Sequence, residues 1–218
     1  MRGVTRAVRD RGHCRRRADI RWRAGPTRAP RVTPRFCLAC GARLRRVRAE
    51  GRWRRRCPRC GWTYYANPVP AVVAVIVRRG RLLLARRGRP PYAGTWDAPG
   101  GFLESGETPE QALRRELREE IGVGVRRARF VGFATDRYGP GGFVVLAAAY
   151  RVTPTSTKMR AADDVSEVRW FPLARVPWRA IAFVGLRGLL RKAVRRGTAS
   201  VPPPDIEGYW QLTPGSSW

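Results

Sequence analysis

An α/β sandwich is the fold class that this sequence predicts, on three observations. The run Ala-Val-Val-Ala-Val-Ile-Val at 71–77 is β-branched throughout and reads as a buried strand. Apolar residues recur at helical spacing in two separate segments, one opening at Thr108 and one spanning 180–196. Further apolar stretches fall between them, so strands alternate with two helices around one core.

The elements follow in order. Arg79-Gly80 suits a hairpin turn from the first strand into Arg-Leu-Leu-Leu-Ala-Arg-Arg at 81–87. A loop with Pro90 and Pro91 leads to Gly94-Thr95-Trp96-Asp97-Ala98-Pro99-Gly100-Gly101. Thr108 then offers an N-cap, Pro109 fits the first helical position, and Gln111 can complete a capping box. Leu113, Leu117 and Ile121 form one apolar stripe, and Gly122 supplies the C-terminal stop. Strands are expected within 123–136, 142–152 and 165–171, and the amphipathic helix 180–196 closes the fold.

Composition narrows the function classes. The 218 residues carry 45 Lys+Arg against 16 Asp+Glu, a formal net charge of +29, and only Lys158 and Lys192 are lysines. Such charge draws polyanions and predicts nonspecific adhesion to nucleic acid. It is spread along the chain and not gathered in one recognition element, so a compositional drift toward arginine on solvated loops and faces is the preferred account. A single His argues against His-based triads and His-rich metal sites. No run approaches the ~20 apolar residues of a spanning helix, so no membrane role is expected. The N-terminus has positive charge but no apolar stretch after it, unlike a secretory signal, which leaves the cytoplasm as the expected location.

The chain divides by composition into four parts. Residues 1–34 are arginine-rich with sparse apolar side chains and read as disordered. Residues 35–66 hold a compact cysteine module, 67–196 the α/β domain, and 197–218 a proline-rich tail. In the module, Cys37-x2-Cys40, sixteen residues, and Cys57-x2-Cys60 match a four-cysteine zinc site. Gly41 and Gly61 allow tight turns that aim backbone N–H groups at the sulfurs. Four thiolates would close the tetrahedron, so the Zn2+ would be structural, a zinc ribbon.

The chemistry is concentrated in the first helix. Glu116, Glu119 and Glu120 lie three and four residues apart and share a face, where like charges repel. A divalent cation turns that repulsion into attraction, because Mg2+ prefers carboxylate and phosphate oxygens. Arg115 stands four residues before Glu119 and can orient it, while Glu107 in the preceding loop can reach the cluster. Gly100 and Gly101 permit close backbone approach. A solvated acidic face with arginine partners is the plainer account, but three acids opposite an apolar stripe stand out in so acid-poor a chain.

Gly101, five residues, Glu107, seven residues, and Arg115-Glu116-Leu117-Arg118-Glu119-Glu120-Ile121-Gly122-Val123 resemble a complete Nudix box. The resemblance extends from about residue 68 to 196 and implies an α/β/α sandwich with a mixed sheet, preceded by the zinc-ribbon β module. It implies a hydrolase that cleaves a pyrophosphate linkage in a nucleoside diphosphate joined to another group. Glu116, Glu119 and Glu120 would bind Mg2+ or Mn2+, assisted by Glu107 and the Gly101 carbonyl, with Arg115 beside them. The general base varies across the family: Glu119 or Glu120 is one candidate, and Asp163, Asp164 or Glu167 another.

A ribbon before such a domain is similar to two branches. NADH pyrophosphatases have one, but their Ser-Gln-Pro-Trp-Pro-Phe-Pro segment is missing here, where the chain reads Phe-Val-Gly-Phe-Ala-Thr-Asp-Arg-Tyr-Gly-Pro-Gly-Gly-Phe. The ADP-ribose or FAD pyrophosphatase-like branch fits better, with removal of nucleotide-linked caps from RNA as an alternative. A regulator that binds nucleic acid and uses the domain as a ligand sensor is the rival from another class. Tyr64, Tyr65, Trp96, Phe133, Tyr138 and Phe183 are candidates to stack a base, although Trp96 suits a core anchor better. Arg86, Arg87 and Arg137 are candidate diphosphate partners. Monomer and homodimer are both compatible with the sequence.

Overall fold

The computed structural model describes residues 33–139 and 142–195. The arginine-rich leader and the proline-rich tail expected from the sequence therefore lie almost wholly outside the described residues.

The cysteine module is a small antiparallel sheet of β1 (Arg45–Ala49), β2 (Arg52–Arg56) and β3 (Thr63–Tyr64), in the order β1-β2-β3. Its own core is only Cys37, Leu44 and Cys57, with Cys40, Ala42 and Trp62 packed alongside.

The α/β unit begins with β4 (Val69–Val75), which pairs in parallel with β9 (Phe143–Pro154); β9 in turn pairs antiparallel with β8 (Val125–Tyr138). A second sheet orders β10 (Val165–Pro172), β6 (Arg81–Arg87) and β5 (Val77–Arg78), with the short β7 (Trp96–Asp97) also on β6. The apolar run 71–77 is thus not one strand. The chain leaves β4 after Val75, and Ile76 turns it so that Val77 pairs with Leu82 in the other sheet. The Ile76 carbonyl accepts the Leu83 N–H at 2.9 Å, so the switch keeps its backbone bonded.

Two helices cover opposite faces. Helix α1 (Pro109–Ile121) seals Ala112, Leu113, Leu117 and Ile121 against Val72, Ala74, Ile76 and Leu83. Helix α2 (Val184–Arg195) seals Leu186, Leu190 and Ala193 against Val73, Val75, Leu82 and Leu84. Alternate residues of β4 and β6 therefore face different helices, which is why both strands read as continuous apolar runs. The result is the α/β/α sandwich expected, with a mixed sheet.

The second helix starts later than the 180–196 expected. Residues Trp178–Ala180 form a 3-10 turn, and Ile181 bridges Trp96 in parallel while the Ala182 N–H donates to the Trp96 carbonyl at 2.9 Å. Tertiary pairing claims this backbone before helix can form. No helix among the described residues is long and apolar enough to cross a membrane.

Candidate active site

The helix that carries the glutamates is fixed at both ends. Thr108 accepts from the Gln111 N–H and Gln111 accepts in return from the Thr108 N–H at 2.7 Å, completing the capping box. Gly122 ends the helix at φ +70°, a left-handed conformation that favours glycine. Before it, residues 99–102 lie along the free edge of β4: Val72 N–H donates to the Gly101 carbonyl at 2.8 Å, and Ala74 N–H to Pro99 at 2.7 Å. A side chain at Gly100 would strike the β4 backbone, and one at Gly101 would strike the Glu116 carboxylate. Glycine is therefore required at 100 by close approach of backbone, whereas a side chain at 101 would displace the Glu116 carboxylate.

Arg115 is the hub of the acidic group. Its Nη1 donates to Glu116 at 2.8 Å and to Glu119 at 3.1 Å, while Nη2 donates to the Phe102 carbonyl at 2.9 Å. Its remaining bonds tie down Glu107 in the loop, whose carboxyl the guanidinium holds down to about 2, aided by the Glu104 N–H.

The three helical glutamates differ in setting. Glu120 is buried and accepts the Gly100 N–H at 2.8 Å; desolvation, with Asp164 and Glu116 nearby, pushes its carboxyl up to about 9. Glu116 is pushed up as well, chiefly by burial and against the pull of Arg115. Glu119 is the outermost, with 47% of its side chain exposed against 13% for Glu116.

Glu116, Glu120, Gly100 and Gly101 line one pocket of about 260 Å3, whose walls include Asp163 and Asp164. Glu119, Glu107 and Glu167 do not line it. Glu167 pairs instead with Arg86 and Arg169 on the β10–β6 surface.

The far side of the pocket holds groups that sequence reasoning missed. Asp97 is buried and paired with Arg87 at 3.1 Å; desolvation outweighs the pull of Arg87 and raises its carboxyl to about 6. Arg87 also donates to the Tyr138 hydroxyl at 3.0 Å. Asp136 takes the Gly185 and Leu186 N–H groups at 2.7 and 2.9 Å, capping α2 from another element. Phe102, also missed, packs edge-on to Tyr138 at 5.1 Å, and Tyr138 stacks on Phe183 at 5.8 Å. The only signal for Asp97 and Asp136 was their rarity in an acid-poor chain.

Of the base-stacking candidates, Tyr138 and Phe183 line this pocket. Trp96 is a core anchor, buried edge-on to Phe171. Phe133 is exposed on β8, and Tyr64 and Tyr65 line a different cleft. Arg87 reaches the pocket; Arg86 binds the Gly94 carbonyl and Arg137 the Gly142 carbonyl instead.

In the cysteine module, the four sulfurs lie within 4.8 Å of one another, with Cys37–Cys60 at 3.6 Å and Cys40–Cys57 at 3.4 Å. Thiolates ~2.3 Å from a tetrahedral zinc stand ~3.8 Å apart, so the set fits that ion. Gly41 and Gly61 adopt φ +72° and +78°, making the two expected turns. The Cys60 and Arg59 N–H groups, working against desolvation, bring the Cys57 thiol down to about 6.

An acidic helix thus faces a pocket across a double-glycine loop, inside an α/β/α sandwich. The NUDIX domain profile matches residues 67–192, and the chain belongs to that family. It is 30% identical over 146 residues to the NAD-capped RNA hydrolase NudC of Pseudomonas aeruginosa, covering 66% of this chain and 49% of that protein. It is 32% identical over 114 residues to the ADP-ribose pyrophosphatase of Methanocaldococcus jannaschii, covering 52% of this chain and 67% of the relative. A NUDIX hydrolase crystal structure from Nitrosomonas europaea superposes with a TM-score of 0.59 at 26% identity, over 78% of this chain and 96% of that one. The chain spans about half the length of the NudC proteins it matches.

Proposed function

We propose that this chain hydrolyses a pyrophosphate bond in a nucleoside diphosphate joined to a second group, of the ADP-ribose or FAD kind. The carrying observation is the convergence of Glu116 and Glu120 on the Gly100–Gly101 backbone in one pocket, with Asp164 beside them. Carboxylates forced this close favour a divalent cation, and the all-oxygen donor set suits Mg2+ or Mn2+. Glu116, Glu119, Glu120 and the Gly101 carbonyl would hold it. Bound there, such cations neutralise phosphate charge and lower the pKa of an attacking water.

The chain's own residues supply the rest. Arg115 and Glu107 set the position of Glu116 and Glu119. Asp164, whose charge acts on both Glu116 and Glu120, is the favoured acceptor for the water's proton, with Asp163 next to it. Glu167 is held elsewhere by two arginines. Phe102, Tyr138 and Phe183 give the base an aromatic wall.

Zn2+ in Cys37, Cys40, Cys57 and Cys60 would be structural, because four thiolates leave no open position. The start of the matched segment at residue 67 supports the division between a ribbon at 35–66 and the Nudix unit. The intact acidic set weighs against a sensor without activity, and turnover of nucleotide derivatives suits a cytoplasmic enzyme. A second reading, removal of a nucleotide cap from RNA, draws support from the name of the Pseudomonas relative.

A product-resolved hydrolysis screen with Mg2+ tests the proposal over ADP-ribose, FAD, NADH, diadenosine polyphosphates and modified nucleoside triphosphates. ADP-ribose plus water should give AMP and ribose 5-phosphate. Failure to cleave any of the panel in the presence of Mg2+ would reject it.

A further inference from the structure

A second cleft, of about 590 Å3, separates the cysteine module from the β8–β9 hairpin. Arg46, Trp53, Arg54 and Tyr65 line its module side, and Arg137 and Phe143 its hairpin side. Cation and ring alternate there. The Arg46 guanidinium carbon stands 4.3 Å from the Trp53 ring centroid, and that of Arg54 stands 4.5 Å from Tyr65. Trp53 and Tyr65 are nevertheless 60% and 48% exposed, so both rings keep surface open to solvent. The Nε of Arg54 is buried with no hydrogen-bond partner. No carboxylate lines the cleft among the described residues; Glu50 reaches Arg54 without lining it.

We propose that this cleft binds a single strand of RNA, its guanidinium groups meeting phosphates and its exposed rings meeting bases. Every base has a π-face, and stacking on aromatic side chains needs that face uncovered, which a duplex does not offer. An acidic peptide would use the arginines but leave the flat rings without partners.

Position favours RNA in particular, and this step rests on reading the neighbouring pocket as one for a ribonucleoside diphosphate. Phe143 of the cleft lies 6.0 Å from Phe102 and 5.4 Å from Tyr138, both in the pocket wall. The two cavities thus share the β8–β9 hairpin. A ribonucleotide end in the pocket can continue into the cleft as a strand.

The test must separate stacking from mere attraction to a chain of formal charge +29. Fluorescence anisotropy is measured on the full zinc-loaded chain with a labelled oligoadenylate RNA about ten nucleotides long, within the usual size range of single-strand sites. Trp53→Ala and Tyr65→Ala should each weaken binding about tenfold, the loss expected for one stacked base. Trp53→Phe and Tyr65→Phe should restore it. Zinc content shows that each variant is folded, and neither residue belongs to the hydrolytic pocket, so ADP-ribose turnover should hold. Unchanged RNA affinity in both alanine variants would overturn the proposal. So would equal affinity for duplex RNA or for the DNA strand of the same sequence. Ring-dependent RNA binding by a wild-type protein that cleaves no nucleotide would leave the cleft assigned and reject the hydrolase reading alone.

Discussion

Arg115 grips Glu107 with two edges of one guanidinium: Nε donates to Oε1 at 2.8 Å and Nη2 to Oε2 at 2.9 Å. The loop before α1 is thereby fastened to the helix by a forked, charge-assisted pair. The same group donates to Glu116 and Glu119, so the ion pair positions the candidate ligands without lining the pocket itself.

Arg115→Lys tests that arrangement. An ammonium keeps the charge but cannot make the fork or reach all five acceptor atoms that Arg115 serves on four residues. Turnover of ADP-ribose should fall on the order of a hundredfold, as ligands displaced by about an ångström would produce. The melting temperature should shift little, since lysine keeps the charge opposite Glu107. Full activity in the lysine variant would remove Arg115 from the positioning role.

Much of this site was legible because its signals are local. The capping box, the Gly122 stop and the i,i+3 and i,i+4 spacing of Glu116, Glu119 and Glu120 lie within one helix, where sequence separation fixes geometry. The cysteine spacing is local in the same sense. Asp97, Asp136 and Phe102 were not legible, because their roles come from pairings between distant elements. Asp136, for example, is nearly fifty residues from the N–H groups it accepts. The break at Ile76 was hidden for another reason: a strand that changes sheets stays apolar throughout. Residues 180–183 look helical by period, yet pairing with Trp96 overrides that preference.

Glu120→Gln should abolish metal-dependent turnover while leaving the fold intact. The amide oxygen can still accept the Gly100 N–H, so that donor keeps its partner. Burial disfavours the charged carboxylate in the metal-free protein, and the neutral variant escapes that cost. Without metal, its melting temperature should therefore equal or exceed that of wild type. With Mg2+, wild type should gain stability and the variant should not. A thermal-shift series with and without Mg2+ reads both effects, and unchanged hydrolysis would reject the metal role.

Cys57→Ser should release zinc from the module. The module's own core is one leucine and two buried cysteines with a few partners, too little to hold so small a sheet unaided. Metal binding and folding are therefore coupled there. Metal analysis should find zinc in wild type purified without chelator and little in the variant, and limited proteolysis should cut within 35–66. The cores under α1 and α2 share no residue with the module, so the remaining domain should stay resistant. Wild-type protein that contains no zinc would count against the ribbon.

Asp97 should give the fold a specific pH dependence. Its folded pKa is raised to about 6 from an ordinary 3.8, because burial outweighs the attraction of Arg87. Between those values the unfolded chain has already released a proton that the folded chain retains. Stability from this group is thus fully present below about pH 4 and is lost as pH rises toward about 6. Asp97→Asn removes the titration but can keep the bond from the Ala98 N–H, now 2.8 Å. The variant is neutral at every pH and so escapes the cost that wild type meets in burying an ionised Asp97 as pH rises; its melting temperature should fall less steeply than that of wild type across this interval. Glu116 and Glu120 titrate in both proteins, and the Asp97 charge acts on Glu120, so the difference between the two slopes reads Asp97 together with that coupling. Melting curves at fixed ionic strength every half unit from about pH 4 to 7 measure it; parallel slopes would show that Asp97 does not retain its proton in the folded protein.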